Sequence, residues 1–315
     1  MKKKAKILNR KAWLRAAGVA NRQTARVAAA MQRAINAALA HQLTDAAAIV
    51  RVGKGLTRVD LPRAKWAHDL AHAMRPHVIA LAALGWHRAG AAIGAQASPG
   101  HHHKIHPSDQ PNPSNHHHKM DDRSALHGKA EQASPGGVSI PEYDDFVQRT
   151  DWPRLDHWVK TTADGAAETS STRLQNIFDR AAKFWDPDKK QGMTSAQIAK
   201  QILAEGATQD KARAEMLART GSIWASNEGA VERYKADGVA AVQWLTTEDD
   251  MTCPFCVEMD GTLAETGHNF LEAGGLLDAG GSSMKVPDSF SIQHPPLHPN
   301  CRCALIPIVD ESQLA

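Results

Sequence analysis

Five side chains near the end of this sequence carry donor atoms at spacings that suit a metal ion. Cys253 and Cys256 stand in Cys-Pro-Phe-Cys, and His298, Cys301 and Cys303 follow in HPNCRC. Two thiolates on a tight turn can point at one cation, and a second short-spaced group returning from distant sequence completes a tetrahedron. A closed site needs four donors. Cys253, Cys256 and Cys301 are preferred, with either His298 or Cys303 as the fourth and a structural zinc ion as the cofactor. All four cysteines lie in the last 63 residues, and such clustering in a chain with no secretion signal favours metal over the competing chemistry, disulfides.

Two other chemistries use the same residue types. Cys-Pro-Phe-Cys resembles a glutaredoxin active site, but only 59 residues follow Cys256, too few and too rich in Gly and Pro for the rest of a thioredoxin-like sheet. A zinc-dependent HNH-like nuclease pairs cysteine knuckles with His and Asn, and His298-Pro299-Asn300 invites that comparison. A catalytic metal needs an open position with further His or acidic ligands nearby, and none is evident. The expectation is a protein that is not an enzyme.

The elements that position these donors are read from composition and periodicity. The chain has 315 residues, 42% hydrophobic but only 5% aromatic, so its cores are expected to be helical and thin. No stretch approaches the roughly 20 apolar residues of a membrane span, and the Lys-rich start leads into Arg and not into an apolar segment. A soluble chain made in the cytoplasm is expected.

Charge is segregated. Residues 1–60 hold 13 Lys/Arg against Asp45 and Asp60 alone, a surplus of 11 positive charges on a chain of net +3. At about 100° per residue, Lys4, Lys11, Arg15, Arg22, Arg26, Arg33 and Arg51 share an arc of roughly 60°, opposite Trp13, Val27, Met31, Ile35, Leu39 and Ile49. This predicts an amphipathic helix whose basic stripe, Arg15, Arg22, Arg26 and Arg33 above all, meets an anionic partner such as DNA or an acidic protein surface. A second helix is expected from Leu61 to Ile93, broken or kinked at Pro76, with His68 and His72 as paired surface histidines.

Residues 97–139 lose apolar periodicity and hold eight of the 17 histidines, which reads as a His/Pro-rich linker or insertion. Residues 140–238 read as a helical bundle. Tyr143, Phe146, Trp152, Leu155 and Trp158 form its aromatic group, and one helix face runs from Leu174 to Trp185. Thr194 with Gln197 opens a helix that Gly206 ends, and a further helix, bent at Gly221, runs on to Gly238. Arg219 is expected to pair with an acid such as Glu228, and Asp249 and Asp250 to serve turn chemistry. From 239 to 315 the pattern becomes a strand at VAAVQWLTT, the knuckle, a turn at Asp260-Gly261, a Gly-rich loop and the second donor group, with His294 facing solvent. The fold class is therefore mainly α with a small C-terminal β-rich, zinc-stapled module. The parts are 1–96, 97–139, 140–238 and 239–315.

The order GMTSAQIAKQI, EMLARTGSIWASNEGAVERYKADGV, WLTTEDDMTCPFCVEMDG and PPLHPNCRCALIPIV, from residue 191 to 309, resembles the phage head morphogenesis family, the Mu F-like minor head proteins. Gly221 departs from it, because the family usually has an acid after Ala-Arg-Thr. The resemblance implies a non-catalytic minor capsid protein of the virion. Such a protein assembles in the host cytoplasm with the portal and other capsid components, and packaged DNA is a candidate contact. No membrane partner is implied.

Overall fold

A computed structural model of the protein describes residues 10–52, 60–96, 140, 142–186, 191–247, 250–288 and 290–308. The expected linker at 97–139, Asp249 and the side chains of Lys4, Lys11, Trp13 and Arg15 lie outside the described parts. The order is α1 (Arg10–Val52), α2 (Arg63–Gln96), α3 (Tyr143–Arg149), α4 (Trp152–Lys183), β1 (Trp185–Asp186), β2 (Gln191–Gly192) and α5 (Ser195–Ala236). Then come β3 (Ala241–Leu245), α6 (Pro254–Met259), β4 (Leu263–Glu265), β5 (Leu276–Ala279), β6 (Ser282–Lys285) and β7 (Ala304–Ile308). The chain is mainly helical with a small C-terminal strand module.

The helices form because their apolar residues recur at helical spacing. On α1, Val27, Met31, Ile35 and Leu39 are fully buried, four residues apart, and they meet Leu70, Met74, Val78 and Leu81 of α2 in one core. Farther along α1, Leu43, Ala46, Ala47 and Val50 join Trp66, Leu174, Phe178, Ile198 and Ile202 in a second. Phe146 of α3 fills the first core, its ring 6.1 Å from Trp86 and 6.3 Å from Trp152. Trp158 packs against the same core and stacks on Trp224, 4.5 Å between centroids.

Helix α5 spans both cores and the strand module. Thr194 caps it: its hydroxyl accepts from Gln197 N at 3.3 Å, and Gln197 Oε1 accepts from Thr194 N at 2.7 Å, the expected capping box. The helix does not end at Gly206 with a further one following; a single helix runs through Gly206 and Gly221, continuous for 42 residues, about 60 Å at 1.5 Å per residue. Both glycines serve close packing. A Cβ on Gly206 would stand 2.3 Å from Leu43, and one on Gly221 would stand 2.6 Å from Met31 Cε and 3.1 Å from Trp158. Any side chain at Gly221 would have to displace the end of Met31 and press on Trp158.

The tightest approach is between α2 and α5. A Cβ on Gly229 would lie 1.8 Å from the Ala82 carbonyl oxygen, and one on Gly85 would lie 2.1 Å from that of Ser226. Glycine at both positions lets the two backbones touch. Helix α2 runs unbroken through Pro76; Met74 and Val78, both fully buried, hold it on either side. The helix face expected to reach Trp185 stops at Lys183, and Trp185 pairs with Gly192 in the β1–β2 ribbon.

The module's sheet has the order β4–β3–β7, antiparallel throughout. All five residues of central strand β3 are buried. Behind it the turn at Gly261, φ 77°, is held by Asp260, whose Oδ1 accepts from Thr246 N and Oγ1 at 2.8 and 3.1 Å. The expected Gly-rich loop is instead a hairpin, β5–β6. Its two-residue turn, Gly280-Gly281, has positive φ at both positions, the geometry that matches the twist of the flanking strands.

Candidate metal centre

Each donor group is placed by its own short turn. Cys253 is the N-cap of α6, with Pro254 in the first helical turn, and its Sγ accepts from Cys256 N at 3.4 Å. Proline fits there because that N–H would be unpaired in any case. On the facing segment, Cys301 N donates to His298 O at 3.1 Å, and Asn300 between them has φ 63°. Proline second and a left-handed Asn third are what a type II turn demands, so HPNC is a turn that presents His298 and Cys301 together.

The two turns face each other. His298 Nε2 stands 3.0 Å from Cys253 Sγ and 3.2 Å from Cys256 Sγ. Cys256 Sγ stands 3.8 Å from Cys301 Sγ. Zinc with Zn–S bonds of about 2.3 Å sets sulfur–sulfur edges of about 3.8 Å and sulfur–nitrogen edges of about 3.5 Å. The donor atoms form two trios, Cys253/Cys256/His298 and Cys256/Cys301/Cys303, each within 4.8 Å and sharing Cys256. His298 Nδ1 donates to Pro299 O at 2.8 Å, which leaves the Nε2 lone pair turned toward the thiols. A metal-ligating histidine is oriented in this way, by a hydrogen bond from its other nitrogen. Either trio could hold a metal ion, and thiols with an imidazole are the donors that zinc takes, but among the described residues no four of the five candidates lie within 4.8 Å of one another.

Protons in the buried trio are shared unequally. Hydrogen bonds from Cys256 and Cys303 hold the Cys301 thiol well below the usual range, and the same contact with Cys301 pushes Cys256 up. Such a set of shared thiol protons is what a divalent cation displaces on binding.

Helix α5 holds the second donor segment along one stripe. Asn300 N donates to Thr220 Oγ1 at 3.1 Å. Leu305 N donates to Asn227 Oδ1 at 3.0 Å, and Asn227 Nδ2 donates to Cys303 O at 3.4 Å. Tyr234 OH donates to Leu305 O at 3.5 Å. Thr220, Asn227 and Tyr234 are seven residues apart, two helical turns each; Asn227 and Tyr234 give the outer edge of β7 side-chain partners at Leu305, and Thr220 holds the turn before it. The sequence reading did not give them this role, because polar side chains are frequent along all of α5 and nothing local singles these three out.

Two side chains stand elsewhere than expected. His294 is buried, not solvent-facing: Nε2 meets Glu228 Oε2 at 2.7 Å and Nδ1 meets Pro295 O at 2.6 Å. Arg219 pairs with Glu215 and donates to Asn300 Oδ1 at 3.2 Å, leaving Glu228 to His294 and to Arg154 Nε at 2.9 Å. Burial alone would raise the Glu228 carboxyl. The hydrogen bond and charge of His294, with Arg154 beside it, outweigh burial and hold the pKa at about 2.

The long helix, the knuckle and the returning HPNCRC segment occur in the order in which the resemblance was read. Residues 190–306 match the family of Phage Mu protein F like proteins. No curated protein and no solved structure matches the chain. The Mu F-like segment thus takes in β2, α5 and the strand module up to β7, with all five metal-donor candidates inside it. The basic stripe lies outside it, on α1. Arg22, Arg26 and Arg33 are exposed there, and none makes an ion pair among the described residues. His68 and His72 are exposed and stacked on α2, and Asp250 is exposed beside the knuckle. No helix among the described residues is long and apolar enough to cross a membrane.

Proposed function

We propose that this chain is a minor component of a phage head that acts with the portal and other capsid proteins during assembly and catalyses no reaction. The observation that carries the reading is the Mu F-like match over residues 190–306, which spans α5 and the strand module into β7. On this reading the protein assembles in the host cytoplasm and stays in the virion. Zinc held by Cys253, Cys256, Cys301 and His298, with Cys303 as the neighbouring fifth donor, would supply folding free energy to a module with little core of its own. Arg15, Arg22, Arg26 and Arg33 would meet an anionic partner, packaged DNA being the first candidate.

The nuclease alternative has less support. Its metal would need an open position, whereas the candidate donors are mostly sulfur and His298 faces two thiols, the make-up of a closed structural site. A redox role has less support still, because the knuckle sits beside a three-stranded antiparallel sheet.

The test is incorporation into heads. The unaltered chain should co-purify with assembled heads, and changing the four arginines together to Gln should reduce its retention in a salt-dependent way. Absence from heads would overturn the assignment. So would metal-dependent nicking of DNA that His298→Ala abolishes while the fold persists.

A further inference from the structure

The donor segment 298–303 has little regular structure of its own, so something else must fix where His298, Cys301 and Cys303 stand. The strand that follows it, β7, begins at Ala304. Two side chains of α5 grip the segment's main chain on either side of Cys301, while Arg219 reaches only the Asn300 side chain. Thr220 accepts from Asn300 N, the residue before that cysteine. Asn227 accepts from Leu305 N and donates to Cys303 O, just after it. Both anchors hold backbone, not donor atoms, and Asn227 is itself fixed by donating to Ile223 O at 2.9 Å on its own helix. Asn227 is fully desolvated, where an unpaired amide costs more than the bond contributes.

We propose that Thr220 and Asn227 are positioning residues for the metal centre. Helix α5 sets the ligand geometry from outside, and metal occupancy and docking of the module on α5 are one coupled equilibrium. The assignment rests on the zinc reading above. The geometry favours it over simple docking, because the anchors fall on Asn300 and Cys303, within the six residues that carry three of the five donors, and on Leu305 two residues beyond. Arg154, which also reaches α5 through Glu228, touches none of them. Outer partners of this kind typically change metal affinity about 10- to 100-fold.

The experiment measures zinc affinity of the full chain by competition with a chromogenic chelator, with thermal stability recorded in parallel. Thr220→Val keeps the shape and removes the hydroxyl; it should weaken zinc binding at least about tenfold, and Thr220→Ser should restore it. Asn227→Ala should weaken binding more, since it removes two anchors. Arg154→Met should lower stability and leave zinc affinity unchanged. Equal affinity in Thr220→Val, Asn227→Ala and the unaltered chain would overturn this assignment alone. An unaltered chain that takes up no zinc would overturn the metal reading and this assignment with it.

Discussion

The helical body and the strand module hold themselves together by different means. In the body, long apolar stripes such as Val27, Met31, Ile35 and Leu39 fill continuous cores, so stability comes from area removed from water and survives small local losses. The module buries a smaller set around Trp244, Phe270 and Leu305, and its own cysteines Cys256, Cys301 and Cys303 are part of that set. Its segments are short, and beside the apolar contact of Ala230 and Val231 its hold on α5 depends on single hydrogen bonds at Thr220, Asn227 and Tyr234. A structure built from few directional contacts can be lost all at once. One built from many non-directional ones wears away gradually.

The largest expected effect separates the two regions. Stripping zinc, or Cys301→Ser, should remove on the order of 10 kcal/mol of apparent binding free energy from the module. Protease should then cut between residues 250 and 303 while far-UV circular dichroism keeps its helical signal. Equal resistance of the metal-free chain would show that the module has a sufficient core after all.

A smaller effect tests the junction between the regions. Glu228 has its pKa lowered from 4.5 to about 2. Its contribution, on the order of 3 kcal/mol, is therefore fully present above about pH 4.5 and is lost as pH falls toward 2. Urea unfolding between pH 5 and 3 should show stability falling with acid. In Glu228→Gln that part of the slope should vanish, and stability at pH 7 should be lower. An identical slope in the variant would place the acid sensitivity elsewhere.

The smallest effects lie inside the body. Gly229→Ala would press a methyl group on the Ala82 carbonyl, and a loss of about 3 kcal/mol is expected because backbone cannot step aside as a side chain can. Gly165→Ala, on the exposed side of α4 with nothing within 4 Å, should instead raise stability by about 0.5–1 kcal/mol. Thermal melts of the pair would show whether glycines in this body are there for contact or by default.

Features decided within a few residues were legible in the sequence. The Thr194–Gln197 capping box, the apolar stripe of α1 and the Cys-Pro-Phe-Cys knuckle each depend on neighbours in the chain, and each stands where the spacing placed it. Gly206 and Gly221 misled because low helix propensity is a local property, whereas their use depends on Leu43 and Met31 of another helix. His294 misled for the same reason: its partner Glu228 is 66 residues away. The Asn227 anchor was hidden still deeper, since an Asn within a helix says nothing about the strand edge it will cap.

The crossing of α2 and α5 has a mechanical consequence. Where Gly85 and Gly229 let backbone meet backbone, each helix carries a notch into which the other seats, and neither can slide without lifting out of it. Packed side chains would yield by changing rotamer; two interlocked main chains have no such slack. Displacing α2 along its axis therefore displaces α5 with it, so α2 and the Thr220–Tyr234 face that holds the C-terminal module move as one piece, like two notched beams.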